Sequence, residues 1–185
     1  IYSYIIDVTQ SQSQAGLTEA LTDQLKYGSY NYNSLCFIPS EIAYGEATTF
    51  SAGYVDTYMG YWSTWYGAIR RVNQSLSELK QYGQMSDTDK VRLQAELRFM
   101  RAFMYFDLVK RYKEVILYDE DLSKITKDKA LNTETECWDF IQADLEFAGA
   151  NLPERAASKG RLNKGAAWAF LSRTMLYAER WDVVK

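Results

Sequence analysis

The sequence predicts an all-α protein of stacked helical hairpins, a tetratricopeptide-like α-α superhelix with a long aromatic-rich N-terminal loop. Three observations carry this. Beyond about residue 56, apolar residues recur at helical rather than strand spacing in successive stretches. Those stretches pair across short turns, the arrangement of antiparallel helical hairpins. Small-xxx-aromatic pairs recur at Ala95/Phe99, Ala102/Phe106, Ala143/Phe147 and Ala166/Phe170, as in tetratricopeptide-like repeats, whose stacked helix pairs bury one another's faces.

The centre of the pattern is Asp89 to Tyr112, which contains no Gly or Pro. Val91, Ala95, Phe99, Ala102, Phe106 and Val109 form one apolar side, and Leu93, Leu97, Met100, Met104 and Leu108 form a second, roughly opposite. Gln94, Arg98, Arg101 and Tyr105 leave a narrow polar arc. A helix apolar on two sides must be covered on two sides, so this one is expected inside the stack. Glu96 and Asp107 lie on the other seam, with Arg92 one turn before the first and Lys110 and Arg111 just after the second. Each is read as neutralised locally, because an unpaired buried charge is costly.

Composition narrows the function classes. With 47% apolar and 15% aromatic residues the chain is no disordered segment, and 185 residues suffice for one domain with a core. Only 2 Pro and 10 Gly leave room for long helices. A net charge of −3 argues against nucleic acid held on a basic surface. The absence of histidine removes histidine triads and the usual zinc ligand sets, and no metal site or cofactor is expected. Charge is uneven: 89–113 is rich in Lys and Arg, whereas 132–150 holds acids and no bases, as neighbouring helices of opposite charge would. Cys36 and Cys137 are far apart, lack CxxC spacing, and read as isolated buried thiols, with a disulfide between them left open. No apolar run approaches the roughly 18 residues that span a bilayer. The chain shows neither a Met start nor a signal peptide, and reads as part of something longer.

In chain order, 1–14 is weakly patterned, and Leu17, Leu21 and Leu25 predict a short helix over 15–27. From Gly28 to Asp56 no period survives, and the segment reads as loop. Its aromatics alternate with short polar residues, which suits sugars: flat rings stack on C–H faces while amides bond hydroxyls. Tyr44, Phe50 and Tyr54 are the candidate stacking residues, and Asn31 and Asn33 the candidate hydrogen-bonding residues. The alternative is a loop pinned to the helical body by the same aromatics. Tyr58, Trp62, Trp65, Ile69, Val72, Leu76 and Leu79 predict a helix over 57–82, and the register makes Trp62, Trp65 and Tyr66 core residues rather than ligand aromatics. Gly60 and Gly67 inside it cost about 1 kcal/mol each relative to Ala, which close approach of another backbone would offset. Gly83 ends it, and Ser86 to Asp89 caps the next. Residues 113–132 form a connector with few apolar groups after Leu117. Thr133-Glu-Thr-Glu136 is a capping box opening a helix to about Ala150, which Pro153 ends. From Asn163 a last helix runs through Phe170 and Tyr177 towards Trp181.

AELRFMRAFMYFDLVKRY, residues 95–112, resembles the signature helix of the SusD/RagB family. Trp62, Tyr66, Ile69 and Asn73 resemble the family's preceding helix, ECWDFIQADLEFAGANLP its third element, and GRLNKGAAWAFLSRTMLYAERW its fourth. The similarity covers about 57–182. The chain departs from the pattern after the signature helix, with Lys113-Glu-Val-Ile-Leu117 where members have a Gly-Gly-Val-Pro-Leu-like turn. The resemblance implies one domain over 1–185: a segment and loop over 1–56, a hairpin over 57–112, the connector over 113–132 and a hairpin over 133–182, with the C-terminal half of the family fold absent. It also implies a non-catalytic lipoprotein of the outer membrane, capturing a glycan, oligosaccharide or other nutrient for a TonB-dependent SusC-like transporter. The lipid anchor would lie outside this chain, since Cys36 is too deep in the sequence.

Two other classes set the contrast. A tetratricopeptide-like scaffold for a protein or peptide would line its groove with Asn73, Arg98 and Arg101. A glycosidase needs two carboxylates about 5–10 Å apart, whereas Glu96 and Asp107 are separated by roughly 16 Å of helix rise.

Overall fold

The computed structural model describes residues 61–183 apart from 127 and 157, together with Tyr2. The described residues fold as two helical hairpins joined by a braced connector, in agreement with the all-α tetratricopeptide-like expectation.

Helix α1 (Trp62–Tyr82) buries Trp65, Ala68, Ile69, Val72, Asn73 and Leu76, one stripe at helical spacing. A Cβ on Gly83 would stand 2.5 Å from the Leu79 carbonyl oxygen, which the Gly83 N–H caps at 3.2 Å. Glycine thus ends α1 by close approach. Gly67 behaves differently from expectation: it is exposed, and none of the described residues lies within 4 Å of where its Cβ would be, so no packed backbone among them offsets its cost. Gly60 lies outside the described residues.

Helix α2 (Asp87–Tyr112) opens on Ser86, whose side chain accepts the Asp89 N–H at 3.1 Å. Asp87 and Asp89 fall in its first turn and Lys110 and Arg111 in its last, each sign at the end of the helix dipole that favours it. Its buried residues surround the axis: Ala95, Phe99, Met100, Ala102, Met104, Tyr105, Phe106, Leu108 and Val109, but also Glu96, Arg101 and Asp107. The arc expected to stay polar is therefore partly interior, since Arg101 and Tyr105 are both buried. The reason is charge pairing, described below.

After α2 the chain turns through Lys113, at φ 63° and ψ −69°. The Glu114 N–H bonds the Tyr112 carbonyl at 2.8 Å, which makes this a γ-turn of the rarer, positive-φ kind. Glycine adopts such angles at little cost. A lysine there stores strain of order 1–3 kcal/mol, and it sits where the sequence departs from the Gly-Gly pattern.

Val115, fully buried, bridges Asn132 in antiparallel fashion, with Asn132 N–H to Val115 O at 2.8 Å. A 3₁₀ turn (Leu122–Lys124), capped by Asp121, interrupts the connector. Helix α3 (Glu134–Asn151) starts with the expected capping box: Thr133 Oγ1 accepts the Glu136 N–H at 3.3 Å, and Glu136 accepts the Thr133 N–H at 2.9 Å. Helix α4 (Lys164–Tyr177) is capped by Asn163 and stops four residues short of Trp181, contrary to the sequence reading. Glu179 turns left-handed at φ 57°, and bonds from Arg180 N–H to Met175 O and from Glu179 N–H to Leu176 O complete a Schellman stop. Nothing in a Glu-Arg pair announces that geometry. Arg180 then returns to α3, meeting Asp139 at 2.6 Å and Gln142 at 2.7 Å.

The layers follow chain order, α2 lying between α1 and α3, and α4 against α3. At Gly149 a Cβ would meet the Trp168 ring at 2.5 Å, so the absence of a side chain on α3 lets α4 seat its tryptophan. Phe170 packs between the hairpins on Phe99, Phe103 and Phe106, with ring centroids 5.5, 5.5 and 5.2 Å away.

Candidate functional site

The candidate ligand residues Asn31, Asn33, Tyr44, Phe50 and Tyr54 lie outside the described residues, as do Cys36 and the predicted 15–27 helix. The aromatics that begin α1 can be placed. Trp65 is fully buried and donates its indole N–H to Asp107 at 2.7 Å. Trp62 rests on Tyr66 and Tyr112. Tyr66 bonds the Ile116 backbone twice, accepting its N–H at 2.8 Å and donating to its carbonyl at 2.9 Å. Trp65 is thus a core residue, as the register predicts, whereas Trp62 and Tyr66 are half-buried.

Arg101 is a buried charge, 2% exposed. Its guanidinium grips Asp144 of α3 with two bonds, Nε to Oδ2 at 2.7 Å and Nη2 to Oδ1 at 2.9 Å. Nη1 donates to Asn73 of α1 at 2.7 Å and to Glu120 of the connector at 2.9 Å. One side chain therefore ties four segments. The bidentate fork suits arginine and no other residue. Burial works against its charge, but Asp144 and Glu120 more than compensate and hold its pKa above the ordinary value. Burial pushes the Asp144 carboxyl up, against the pull of Arg101 and Arg98. Arg98 lies beside the same acids, 3.8 Å from Asp144 and 3.6 Å from Glu120, with its guanidinium 4.3 Å over the Phe147 ring.

Tyr105 extends this cluster. Its hydroxyl accepts the Tyr118 N–H at 2.7 Å, and Asn73 donates its amide to the Tyr118 carbonyl at 2.9 Å. Burial raises the pKa of both Tyr66 and Tyr105, so each phenol keeps its proton and can donate as well as accept. Among the described residues the stretch Ile116–Tyr118 has no strand partner for these groups, and side chains of α1 and α2 supply the bonds that a half-buried backbone requires.

The two carboxylates on the seam of α2, Glu96 and Asp107, are closed in ion pairs. Glu96 meets Arg92 at 3.0 Å, as read locally, and also Arg161 of the α3–α4 linker at 2.9 Å, a contact the sequence did not disclose. Burial tends to raise the Asp107 carboxyl, but the Trp65 indole and Arg111 overcome it and hold the pKa below the usual carboxylate range. Asp107 is therefore not poised to give up or take a proton near neutrality. Among the described residues no cluster of three or more His, Cys, Asp or Glu could hold a metal ion. No helix there is long and apolar enough to cross a membrane. Cys137 is a free, buried thiol; burial raises its pKa.

A cavity of about 290 Å³ opens between α1 and the connector, lined by Tyr66, Ile69, Arg70, Asn73, Tyr118, Leu122 and Ile125. Tyr118, Leu122 and Ile125 are not among the residues the sequence singles out. Their one signal was the apolar pair Leu122 and Ile125, three apart in a polar connector.

The residues that tie the hairpins together, Tyr66, Asn73, Arg101, Tyr105 and Asp144, all belong to the segments that carry the family resemblance. A SusD-like family model, described as "Starch-binding associating with outer membrane", matches residues 5–176. The chain belongs to the SusD-like family. A SusD-like protein of Bacteroides ovatus is 27% identical over 96% of this chain and 35% of its own length. Among solved structures, a laminarin-binding SusD-like protein aligns with TM-score 0.61 and 29% identity, over 67% of this chain and 27% of that one. A structure solved with a xylogluco-oligosaccharide aligns with TM-score 0.65 and 25% identity, over 90% of this chain and 31% of that one. The chain thus spans about a third of the length of the relatives it matches. The SusD-like signature helix is, in this member, chiefly a structural tie: its arginine is spent on holding α1, α3 and the connector together.

Proposed function

We propose that the chain is the helical part of a non-catalytic glycan-binding lipoprotein at the outer membrane, anchored by a lipid outside this chain, that delivers oligosaccharide to a TonB-dependent SusC-like transporter. The observation that carries this is the family match over residues 5–176, under a description that joins starch binding to the outer membrane. Two further relatives, one laminarin-binding and one solved with a xylogluco-oligosaccharide, make a β-linked or branched glucan a reasonable first probe. The non-catalytic reading draws support from Glu96 and Asp107, both closed in ion pairs. The proposed ligand residues are Tyr44, Phe50 and Tyr54 for stacking and Asn31 and Asn33 for hydrogen bonding, and the helical pairs serve as scaffold and partner surface. The scaffold alternative loses ground, because Asn73 and Arg101 spend their polar atoms inside the fold.

The test is binding of the intact protein to laminarin, xyloglucan and starch oligosaccharides by calorimetry, with Tyr44→Ala and Tyr54→Ala beside it. Binding without product release, weakened about tenfold or more by either substitution, is the expected result, since a stacked aromatic is worth about 1–2 kcal/mol. Binding indifferent to both moves the site elsewhere. Released product would overturn the non-catalytic reading, and absence of binding to any glycan would overturn the whole.

A further inference from the structure

The cavity between α1 and the connector is not used by anything described above, and its lining is chemically selective. Ile69 forms its buried wall, Tyr66 and Tyr118 contribute ring surface, and Leu122 and Ile125, 39% and 47% exposed, form an apolar rim. Most polar groups here are already committed. Asn73 gives its amide N–H to Tyr118 O and its oxygen to Arg101, and the Tyr66 hydroxyl is engaged with both backbone groups of Ile116. Arg70 is the exception. It lines the cavity, is exposed, and makes no ion pair or side-chain hydrogen bond among the described residues. A neutral sugar would bring several hydroxyls to a cavity with few free partners. An apolar body carrying one anionic group matches it better, with ring or branched chain on the apolar wall and carboxylate on the guanidinium. The volume is ample, since an apolar cavity of about 150 Å³ already admits benzene.

We propose that this cavity is a site for small amphipathic carboxylates, separate from any glycan site. The connector that shapes it is held rigidly enough to be preformed: Ile116 and Tyr118 are tied to Tyr66, Tyr105 and Asn73, and Glu120 to Arg101. Arg70 supplies recognition of the anion, and Ile69, Leu122 and Ile125 supply recognition of the apolar body.

The experiment uses the intact protein with methyl-labelled Ile and Leu, titrated with phenylacetate, with its neutral isostere phenylacetamide, and with glucuronate. Phenylacetate is expected to shift the Ile69, Leu122 and Ile125 methyl signals saturably. Phenylacetamide should bind about tenfold more weakly, the worth of one charge-assisted hydrogen bond, and glucuronate more weakly than phenylacetate. Arg70→Gln, at an exposed position without partners among the described residues, should weaken phenylacetate to the level of the amide and leave the amide unchanged. Absence of saturable shifts with phenylacetate, equal affinity for acid and amide, or indifference to Arg70→Gln would each overturn the proposal. Stronger binding of glucuronate would overturn the apolar part of it.

Discussion

The two seams that join α2 to the second hairpin are built on opposite chemistry. Where α2 meets α3, Arg101 and Arg98 face Asp144, and the guanidiniums lie over the Phe140 and Phe147 rings at 4.8 and 4.3 Å. Where α2 meets α4, Phe99, Phe103 and Phe106 close on Phe170, and Phe106 also meets Tyr177 at 5.1 Å. An aromatic seam gains free energy from area and accepts many arrangements of similar depth. A bidentate ion pair contributes little net energy after desolvation, but it fixes register: sliding α3 by one residue would break the two-bond grip of Arg101 on the buried Asp144. The contrast suggests a division of labour, the phenylalanines supplying stability and the Arg101 cluster selecting one packing.

The largest break in that contrast is Arg101→Ala. It removes the bidentate partner of buried Asp144, leaving only Arg98 at 3.8 Å, and should cost about 3 kcal/mol or more in denaturant unfolding of the intact protein. Replacing the pair together, Arg101→Met with Asp144→Leu, should recover much of that loss. If the recovered variant unfolds with a sharp transition and one set of tryptophan signals, the ion pair is not needed for register, and the division of labour fails. Phe106→Ala comes next, at about 3 kcal/mol for a buried aromatic, and it should lower the midpoint without loss of cooperativity. The smallest effect is a pH dependence at Asp107. Its folded pKa lies below the unfolded one, so its contribution is present above about pH 4 and is lost as pH falls through the folded value. Asp107→Asn should therefore be less stable than the parent at pH 7, with the gap closing towards pH 3. A gap that holds constant across that range would mean the ion pairs to Lys110 and Arg111 contribute nothing.

Much of the helical body was legible beforehand, for reasons that can be named. Ser86, Thr133 with Glu136, and Asn163 are caps whose side chains complete backbone bonds, and such chemistry is local. Periodicity identified α2 as an inner helix because apolar residues on two faces demand two partners. It could not say that Arg101 and Tyr105 were interior as well, since a polar arc facing a buried acid looks in sequence like one facing water. The hint lay in the opposite charges of 89–113 and 132–150. Glu179 and Lys113 were illegible for a different reason: each takes a left-handed backbone angle that the surroundings impose on it. The cavity by the connector left almost no trace, because its walls come from two segments far apart in sequence. The ligand residues read from the aromatic loop remain a proposal resting on composition.

The phenol bonds to the connector have a consequence for how this protein breathes. The amides of Ile116 and Tyr118 lie outside any helix, yet their hydrogens rest on the hydroxyls of Tyr66 and Tyr105. Hydrogen exchange at those two positions therefore reports separation of the connector from α1 and α2, not fraying of a local turn. Slow exchange there, next to fast exchange at the exposed 3₁₀ turn, would mark the connector as opening only together with the first hairpin.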